Sequence, residues 1–274
     1  MAITMAEISK LRTMTGAGMM DCKNALTEAN GDFDKAIEII RKKGQAVAAK
    51  RSDREASEGC ILGISKGEFA AVLALKCETD FVAKNVDFIA LTKDILGLAI
   101  ETKAPNLEAL KASQLNGSTV EQLVIDRTGI TGEKMELDMY EFVTGPTTVA
   151  YIHPGNKLAT IVAFNQLNVD TQVAKDIAMQ VAAMNPVAVA KENVPANIIE
   201  KEKEIAKEKA RQAGKPENIL DKIAEGAMVK YFQENTLLEQ AFIKDGKITV
   251  AQYMDKASKG LTVTEFKRIT LNQD

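Results

Sequence analysis

The N-terminal part of the chain shows apolar residues at helical spacing, separated by glycine and asparagine. Thr4 and Glu7 have the spacing of a capping box, which predicts the start of a first helix. Apolar positions three and four residues apart predict a second helix over Met19–Ala29. A third helix is predicted to begin after the cap Asp32 and to end at Gly44. The apolar faces of these helices carry Ile8, Leu11, Cys22, Ala25, Leu26, Ala29, Phe33, Ala36, Ile37 and Ile40.

The next part of the chain changes from a helical to a strand-like pattern. The charged segment 50–55 predicts a solvated hinge or a linker helix. Beyond it apolar residues recur with a period of two, which predicts strands over Cys60–Ile64 and Phe69–Cys77. A helix is then predicted to start at Thr79 or Asp80 and to run to about residue 102. Its expected buried positions include Val86, Ile89, Leu96 and Ala99.

The same order of elements recurs later in the chain. Two strands and a helix are predicted over Thr147–Ile152, Leu158–Phe164 and Thr171–Met184. In addition, Thr119–Val124 resembles Thr249–Met254, and each segment precedes a strand-like run, Met135–Val143 and Thr262–Leu271 respectively. A repeated order of this kind predicts two related subdomains that arose by duplication.

The second copy contains an insertion with helical periodicity. One amphipathic stripe consists of Ile198, Ile205, Ala206, Ala210 and Ala213. A turn at 214–216 follows, and a second stripe consists of Ile219, Ile223, Ala227 and Tyr231. Two such helices around a tight turn predict an antiparallel coiled-coil hairpin. Its charged outer faces fit either plain solvated surface or an arm that reaches a partner.

Composition narrows the function classes. The chain has 35 Lys and Arg against 38 Asp and Glu, so its net charge is −3, and nucleic-acid binders usually show a basic excess. Aromatic residues make up 5% and tryptophan is absent, which argues against stacking platforms for single strands. The sequence contains neither a P-loop nor a GxGxxG fingerprint, so we expect no direct nucleotide binding and no cofactor.

The cysteines and the apolar runs indicate whether the chain binds a metal and where in the cell it is found. The three cysteines have no CxxC spacing and there is one histidine, so a zinc site is not expected. The odd number of cysteines fits a reducing cytosol. Residues 1–12 lack the apolar region of a signal peptide, and the longest apolar run, Phe69–Leu75, is far shorter than the ~20 residues of a membrane span. We therefore expect a cytoplasmic protein without membrane contact.

The segment 76–82 is the most informative one for chemistry. It lies where a buried strand hands over to a helix, so Thr79 or Asp80 can cap that helix. Phe81 then either packs on the core or points outward beside an acidic group, as an anchor on a protruding corner. Cys77 could also be a thiol nucleophile with His153 as its base, although nothing in the sequence brings the two together.

Two motifs give the chain a resemblance to bacterial translation elongation factor Ts over essentially its whole length. The first is the run Thr15-Gly16-Ala17-Gly18-Met19-Met20-Asp21-Cys22-Lys23 with Ala25-Leu26. The second is Cys77 followed by Thr79-Asp80-Phe81-Val82-Ala83-Lys84. The resemblance implies an exchange factor that promotes GDP release from the GTPase elongation factor Tu and so supports translation elongation.

The resemblance also implies which residues meet the partner. Magnesium displacement from the GTPase is expected of Thr79, Asp80, Phe81 and Val82. The other expected partner contacts are Met19, Met20, Gly132 and His153, with Gly129 competing for the alignment of Gly132. Many family members continue into a further C-terminal helix beyond the position of Asp274, so contacts made by that helix are not carried over. The sequence leaves open whether the chain forms a homodimer.

Together these observations predict an α+β fold in three parts. Residues 1–50 form a small three-helix, ubiquitin-associated-like domain. A duplicated α+β core with antiparallel sheets has its N-subdomain at 51–145 and its C-subdomain at 146–274, with the coiled-coil insertion at about 187–231. Two other function classes remain open: an interaction scaffold, and a cysteine-dependent enzyme that uses Cys77. The scaffold predicts that Phe81→Ala is tolerated, and the enzyme predicts that Cys77→Ser abolishes activity.

Overall fold

The computed structural model describes residues 3–272. Four terminal residues lie outside the described residues: Met1, Ala2, Gln273 and Asp274. The predicted domain limits include them. Within residues 3–272 the helices are α1 Met5–Thr15, α2 Met19–Glu28, α3 Phe33–Lys50, α4 Asp80–Ala83, α5 Val86–Thr102, α6 Leu107–Ala112, α7 Val120–Thr131, α8 Thr171–Met184, α9 Ala196–Gln212, α10 Leu220–Asn235 and α11 Val250–Ala257. The strands are β1 Glu58–Lys66, β2 Phe69–Cys77, β3 Gln114–Leu115, β4 Ser118–Thr119, β5 Glu136–Thr144, β6 Thr147–Ile152, β7 Leu158–Phe164, β8 Ala241–Phe242, β9 Asp245–Thr249 and β10 Val263–Thr270.

The N-terminal helices enclose a small core of their own. The predicted capping box is confirmed, because the Thr4 and Glu7 side chains each accept a backbone N–H of the other residue. Asp32 caps α3 as predicted, by accepting from two first-turn N–H groups. The fully buried members of the cluster are Ile8, Leu11, Ala17, Cys22, Ala25, Leu26, Ala29 and Ala36. Local capping and helical spacing therefore specify this part of the chain.

The prediction that Gly44 ends the third helix is wrong. Helix α3 continues to Lys50, and Gly44 is buried in its interior. Its backbone faces Gly129 of α7, where an added Cβ on Gly129 would lie only 2.3 Å from the Gly44 Cα. Gly44 therefore allows two helices to cross closely, which joins the N-terminal helices to the rest of the chain.

Two antiparallel sheets form the centre of the molecule, so the α+β class with antiparallel sheets is confirmed. In the described part of the chain one sheet has the order β1-β2-β5 and the other has the order β10-β7-β6. The last strand of each sheet, β5 or β10, pairs with the middle strand, β2 or β7. Each of these last strands follows a helix, α7 or α11, that is capped by a threonine, Thr119 or Thr249. The predicted repetition of elements is therefore confirmed.

The middle strands are buried on both faces, so the simple two-residue alternation does not hold for them. In β2 the residues Phe69, Leu73 and Leu75 face helices α5 to α7. The intervening Ala70 and Val72 face the other sheet, together with Ala159, Ile161 and Ala163 of β7. Small residues let the sheets approach, and a strand covered on both sides reads as a continuous apolar run. This burial explains the long apolar stretch at 69–75.

The predicted helix after the second strand is interrupted. Helix α4 ends at Ala83, and the side chain of Asn85 caps a new helix, α5, by accepting from the N–H groups of Asp87 and Phe88. Because the new helix starts after this break, Val86 is 79% exposed, and its predicted burial is wrong. Leu96 and Ala99 are buried as predicted, and Ile89 packs partly buried against the core.

Helices α9 and α10 pack against each other as an antiparallel pair. On α10 the buried line consists of Leu220, Ala224 and Met228. Each of these residues directly follows a member of the predicted stripe, Ile219, Ile223 or Ala227. Ile219 itself is 36% exposed. None of the helices in residues 3–272 combines the length and the apolar character that a membrane span requires.

Candidate functional site

A protruding corner forms where β2 ends at Cys77 and the single-turn helix α4 begins at Asp80. Thr79 caps this turn, with its hydroxyl accepting the Val82 N–H at 3.5 Å. Val82 packs partly buried against the core, whereas Phe81 is 84% exposed. The outward orientation of Phe81 is therefore confirmed, and the alternative in which it packs on the core is wrong.

Asp80 places a negative charge beside this exposed ring. Its carboxylate accepts from the Lys84 ammonium group at 2.6 Å, one helical turn later. This bond from Lys84 is the main cause of a lowered pKa for Asp80, and Lys157 lowers it further by electrostatic attraction. The corner therefore presents an ionised carboxylate next to an aromatic side chain, both accessible to a partner.

The loop after α7 fastens the corner. The Thr79 backbone N–H and hydroxyl donate to the two carboxylate oxygens of Glu133, at 3.0 and 2.7 Å. Gly132, directly before Glu133, ends α7 in the left-handed conformation with φ of 72° and has open space where a side chain would stand. The competing Gly129 instead packs against α3. Of the two glycines, Gly132 is the one that lies next to the corner.

A second carboxylate holds the corner from the strand side. Glu78 accepts from Arg51 Nη1 at 2.8 and 2.9 Å and from the Lys134 backbone N–H at 2.6 Å. The Lys134 bond is the main cause of a lowered pKa for Glu78, so this group is also ionised at neutral pH. Sequence reasoning missed Arg51, Glu78 and Glu133, because their partners are distant in sequence. The charged segment 50–55 was the one available signal, and it indicated a hinge.

His153 lies in the turn between β6 and β7. Its Nδ1 is 3.0 Å from the Tyr151 hydroxyl, and the side chain is exposed. The turn is fixed to β1, because the Ile61 N–H donates to the Asn156 carbonyl at 2.7 Å and Lys157 Nζ contacts Glu58 at 2.8 Å. Glu58 pairs with Cys77 across the sheet, so this contact attaches the turn near the strand end that carries the corner.

Met19 and Met20 form a different surface. They begin α2 after the cap Gly18; Met19 packs partly buried against the N-terminal core and Met20 is 64% exposed. The N-terminal helices reach the rest of the chain through α3, which packs on α7. The structure thus places Thr79, Asp80, Phe81 and Val82 together, with Gly132 in the adjoining loop. The turn that carries His153 is attached to β1, and the methionine pair belongs to the N-terminal helices.

The geometry does not favour a thiol nucleophile at Cys77. Its side chain is fully buried, and burial raises the pKa of the thiol to about 12. The thiol donates to the Thr79 carbonyl at 3.2 Å, while the His153 ring bonds Tyr151. A protonated buried thiol is a packing group, since nucleophilic attack requires the thiolate. Within the described residues no group of three or more potential ligands is placed to hold a metal ion.

Comparison with known proteins gives a consistent result. The family model described as Elongation factor TS matches residues 78–273. A protein of Porphyromonas gingivalis with the name Elongation factor Ts is 62% identical over 275 residues, covering 100% of both chains. Relatives of the same name from Azobacteroides pseudotrichonymphae and Bacteroides thetaiotaomicron are 55% and 47% identical, also over 100% of both chains.

Proposed function

The chain belongs to the elongation factor Ts family of translation elongation factors, and from this premise we propose that it is the guanine-nucleotide exchange factor of the GTPase elongation factor Tu. The single observation that carries the proposal is the exposed Phe81 beside the ionised Asp80. An aromatic ring that is 84% exposed on a fixed corner is the kind of group that becomes a binding hot spot.

In the proposed mechanism Asp80 and Phe81 enter the GTPase near its magnesium site. The ring wedges between partner side chains, and the carboxylate adds negative charge near the ion. Magnesium bridges the protein to the nucleotide phosphates, so its displacement weakens the hold on GDP. Thr79 and Val82 belong to the same contact: Thr79 caps the turn, and Val82 anchors it to the core.

Exchange of this kind needs no covalent chemistry. The factor binds the nucleotide-free GTPase more tightly than the loaded form, and linkage requires that it weaken nucleotide binding by the same factor. Consequently the residues that act directly in exchange are those that contact the partner, and we propose that the chain acts by binding rather than as an enzyme on a substrate.

Further contacts are proposed on both sides of the corner. Gly132 offers an open backbone next to it, and the exposed His153 lies in the turn that is attached to β1. Met19 and Met20 provide flexible apolar contact from the N-terminal helices. We assign these helices, residues 1–50, to a ubiquitin-associated-like domain that mainly supplies affinity. The core subdomains at 51–145 and 146–274 carry the corner and the coiled-coil arm at about 187–231.

The test is GDP release in vitro. Elongation factor Tu is loaded with fluorescent GDP, and the decay of fluorescence is followed in excess unlabelled GDP with increasing amounts of this chain. We expect release to accelerate in a saturable manner. Binding without acceleration would indicate the scaffold alternative, and neither binding nor acceleration by a folded chain would reject the proposal.

A further inference from the structure

We propose that Glu78 is a positioning residue that sets the pose of the Asp80–Phe81 corner relative to the N-terminal helices. This inference rests on the proposed exchange function and concerns the same site. Glu78 does not need to touch the partner: it acts by holding the two residues that follow Thr79. Its side chain is 17% exposed and bonds two different segments of the chain.

The corner needs such support because α4 is too short to hold its own shape. It comprises the four residues Asp80–Ala83, and a single helical turn is unstable by itself in water. The exposed ring of Phe81 adds little packing. Besides the Lys84–Asp80 bond, the contacts that fix the turn include Val82 and Ala83 on the core, Thr79 on Glu133, and Glu78 just before it.

Glu78 joins the corner to two other parts of the molecule. On one side it accepts from the Lys134 N–H at 2.6 Å, in the loop that also supplies Glu133. On the other side it accepts from Arg51, the residue directly after α3. The Lys134 ammonium group donates to the Ser52 carbonyl at 3.1 Å, which closes the connection between the loop and the end of α3.

The N-terminal helices and the corner are thereby held as one body. Helix α3 is fixed along its length by the close crossing at Gly44 and at its end by Arg51 on Glu78. A surface presented by α2 and a ring presented by α4 then meet the GTPase in a preset geometry. Preorganisation of this kind lowers the cost of binding, and a displacement of about 1 Å can reduce a rate by ~100-fold.

The test measures GDP release from elongation factor Tu with Glu78→Ala, Glu78→Gln, Phe81→Ala and the double variant Glu78→Ala/Phe81→Ala. The matched control is Glu217→Ala, which removes a carboxylate bonded to Arg211 at 2.8 Å, outside the network of Glu78, Arg51 and Lys134. Denaturant midpoints of all variants are measured on the same samples, so that a loss of folded protein is not read as a loss of exchange.

If Glu78 acts through the ring, Glu78→Ala lowers the maximum release rate about tenfold. This loss is smaller than the ~100-fold that a displacement of about 1 Å can cause. Glu78→Gln retains most of the rate, because an amide oxygen still accepts from the Lys134 N–H. The additional loss from Glu78→Ala is then smaller in the Phe81→Ala background than in the unmodified chain, because Asp80 alone is left to be displaced, and Glu217→Ala is unchanged. A merely structural role would instead lower the rate by the same factor with or without Phe81.

The outcomes separate the inference from the function on which it rests. If the unmodified chain accelerates release and Phe81→Ala does not, but Glu78→Ala behaves as the unmodified chain does, the positioning role alone is rejected. An additive loss in the double variant also rejects it. If the unmodified chain fails to accelerate release, the proposed function is rejected and the positioning role falls with it.

Discussion

Replacing Phe81 by alanine tests the proposed wedge most directly, because a small effect on stability and a large effect on exchange are expected from the same substitution. The ring is 84% exposed, so little apolar area returns to water when it is removed. Surface substitutions of this kind usually change the free energy of unfolding by no more than about 0.5 kcal/mol. A buried phenylalanine cut back to alanine costs about 3–5 kcal/mol.

For exchange, the same substitution removes the proposed hot spot. A central aromatic anchor contributes about 2 kcal/mol or more to an interface. If that energy is realised in the complex that releases GDP, its loss slows release by about 30-fold, since each 1.36 kcal/mol is a factor of ten. Stopped-flow fluorescence with GDP-loaded elongation factor Tu measures the rate, and urea denaturation of the same sample measures the stability.

Phe88 provides the matched control. It lies in α5 of the same subdomain and is 1% exposed, so Phe88→Ala should lose most of the stability that Phe81→Ala retains. Normal stability with slow release supports the wedge. A stability loss for Phe81→Ala as large as that for Phe88→Ala would refute the exposure argument, and normal stability with normal release would refute the wedge.

Four further outcomes are expected. Asp80→Ala should slow GDP release while changing the urea midpoint little, because the preceding residue and not Asp80 caps the turn. Gly129→Ala should destabilise the chain by about 1–3 kcal/mol, since its Cβ would lie 2.3 Å from the facing helix, whereas Gly226→Ala has open space and should be neutral or stabilising. Replacing 195–231 by a short Gly-Ser link should leave the thermal melting of the core intact; loss of that transition would show that the arm is structural. Burial raises the pKa of Cys77 from 9.0 to about 12, so the folded state keeps a proton that the unfolded state loses, and in a pH series the free energy of unfolding should fall as pH rises from about 9 towards 12. Cys77→Ser should make this fall shallower without removing it, because Cys60, Tyr140 and Tyr253 also have raised pKa values.

Several elements could be predicted from the sequence because their causes are local. The bounds of β6, β7 and α8 are those predicted, and Pro186 and a Pro-Gly turn mark their limits. The capping box at Thr4 and the cap at Asp32 each depend on atoms within three residues. Phe81 could be expected at a helix start, although its exposure could not be decided from spacing alone.

Other features were decided by contacts between distant segments. The sequence predicted that Gly44 ends a helix, because glycine is common just after a helix when nothing is known of its neighbours. In the structure Gly44 lies inside α3 and packs on Gly129, where the missing side chain allows the close crossing. The sequence predicted that apolar and polar residues alternate along the strand at 69–77. In the structure helices cover one face of this strand and the other sheet covers the opposite face, so both faces are apolar.

The support of the candidate site belongs to this second group. Glu78 bonds Arg51, 27 residues earlier, and Lys134, 56 residues later, so no local pattern could reveal them. The segment at 50–55 looked like a solvated hinge because charged residues are usually solvated, and only the fold brings its Arg51 to a half-buried carboxylate. Sequence determined which residues stand at the corner, since helix capping is local, whereas the exposure of Phe81 depended on the fold. Tertiary structure decided what holds that corner in place, because a hydrogen bond depends on distance in space and not on separation along the chain.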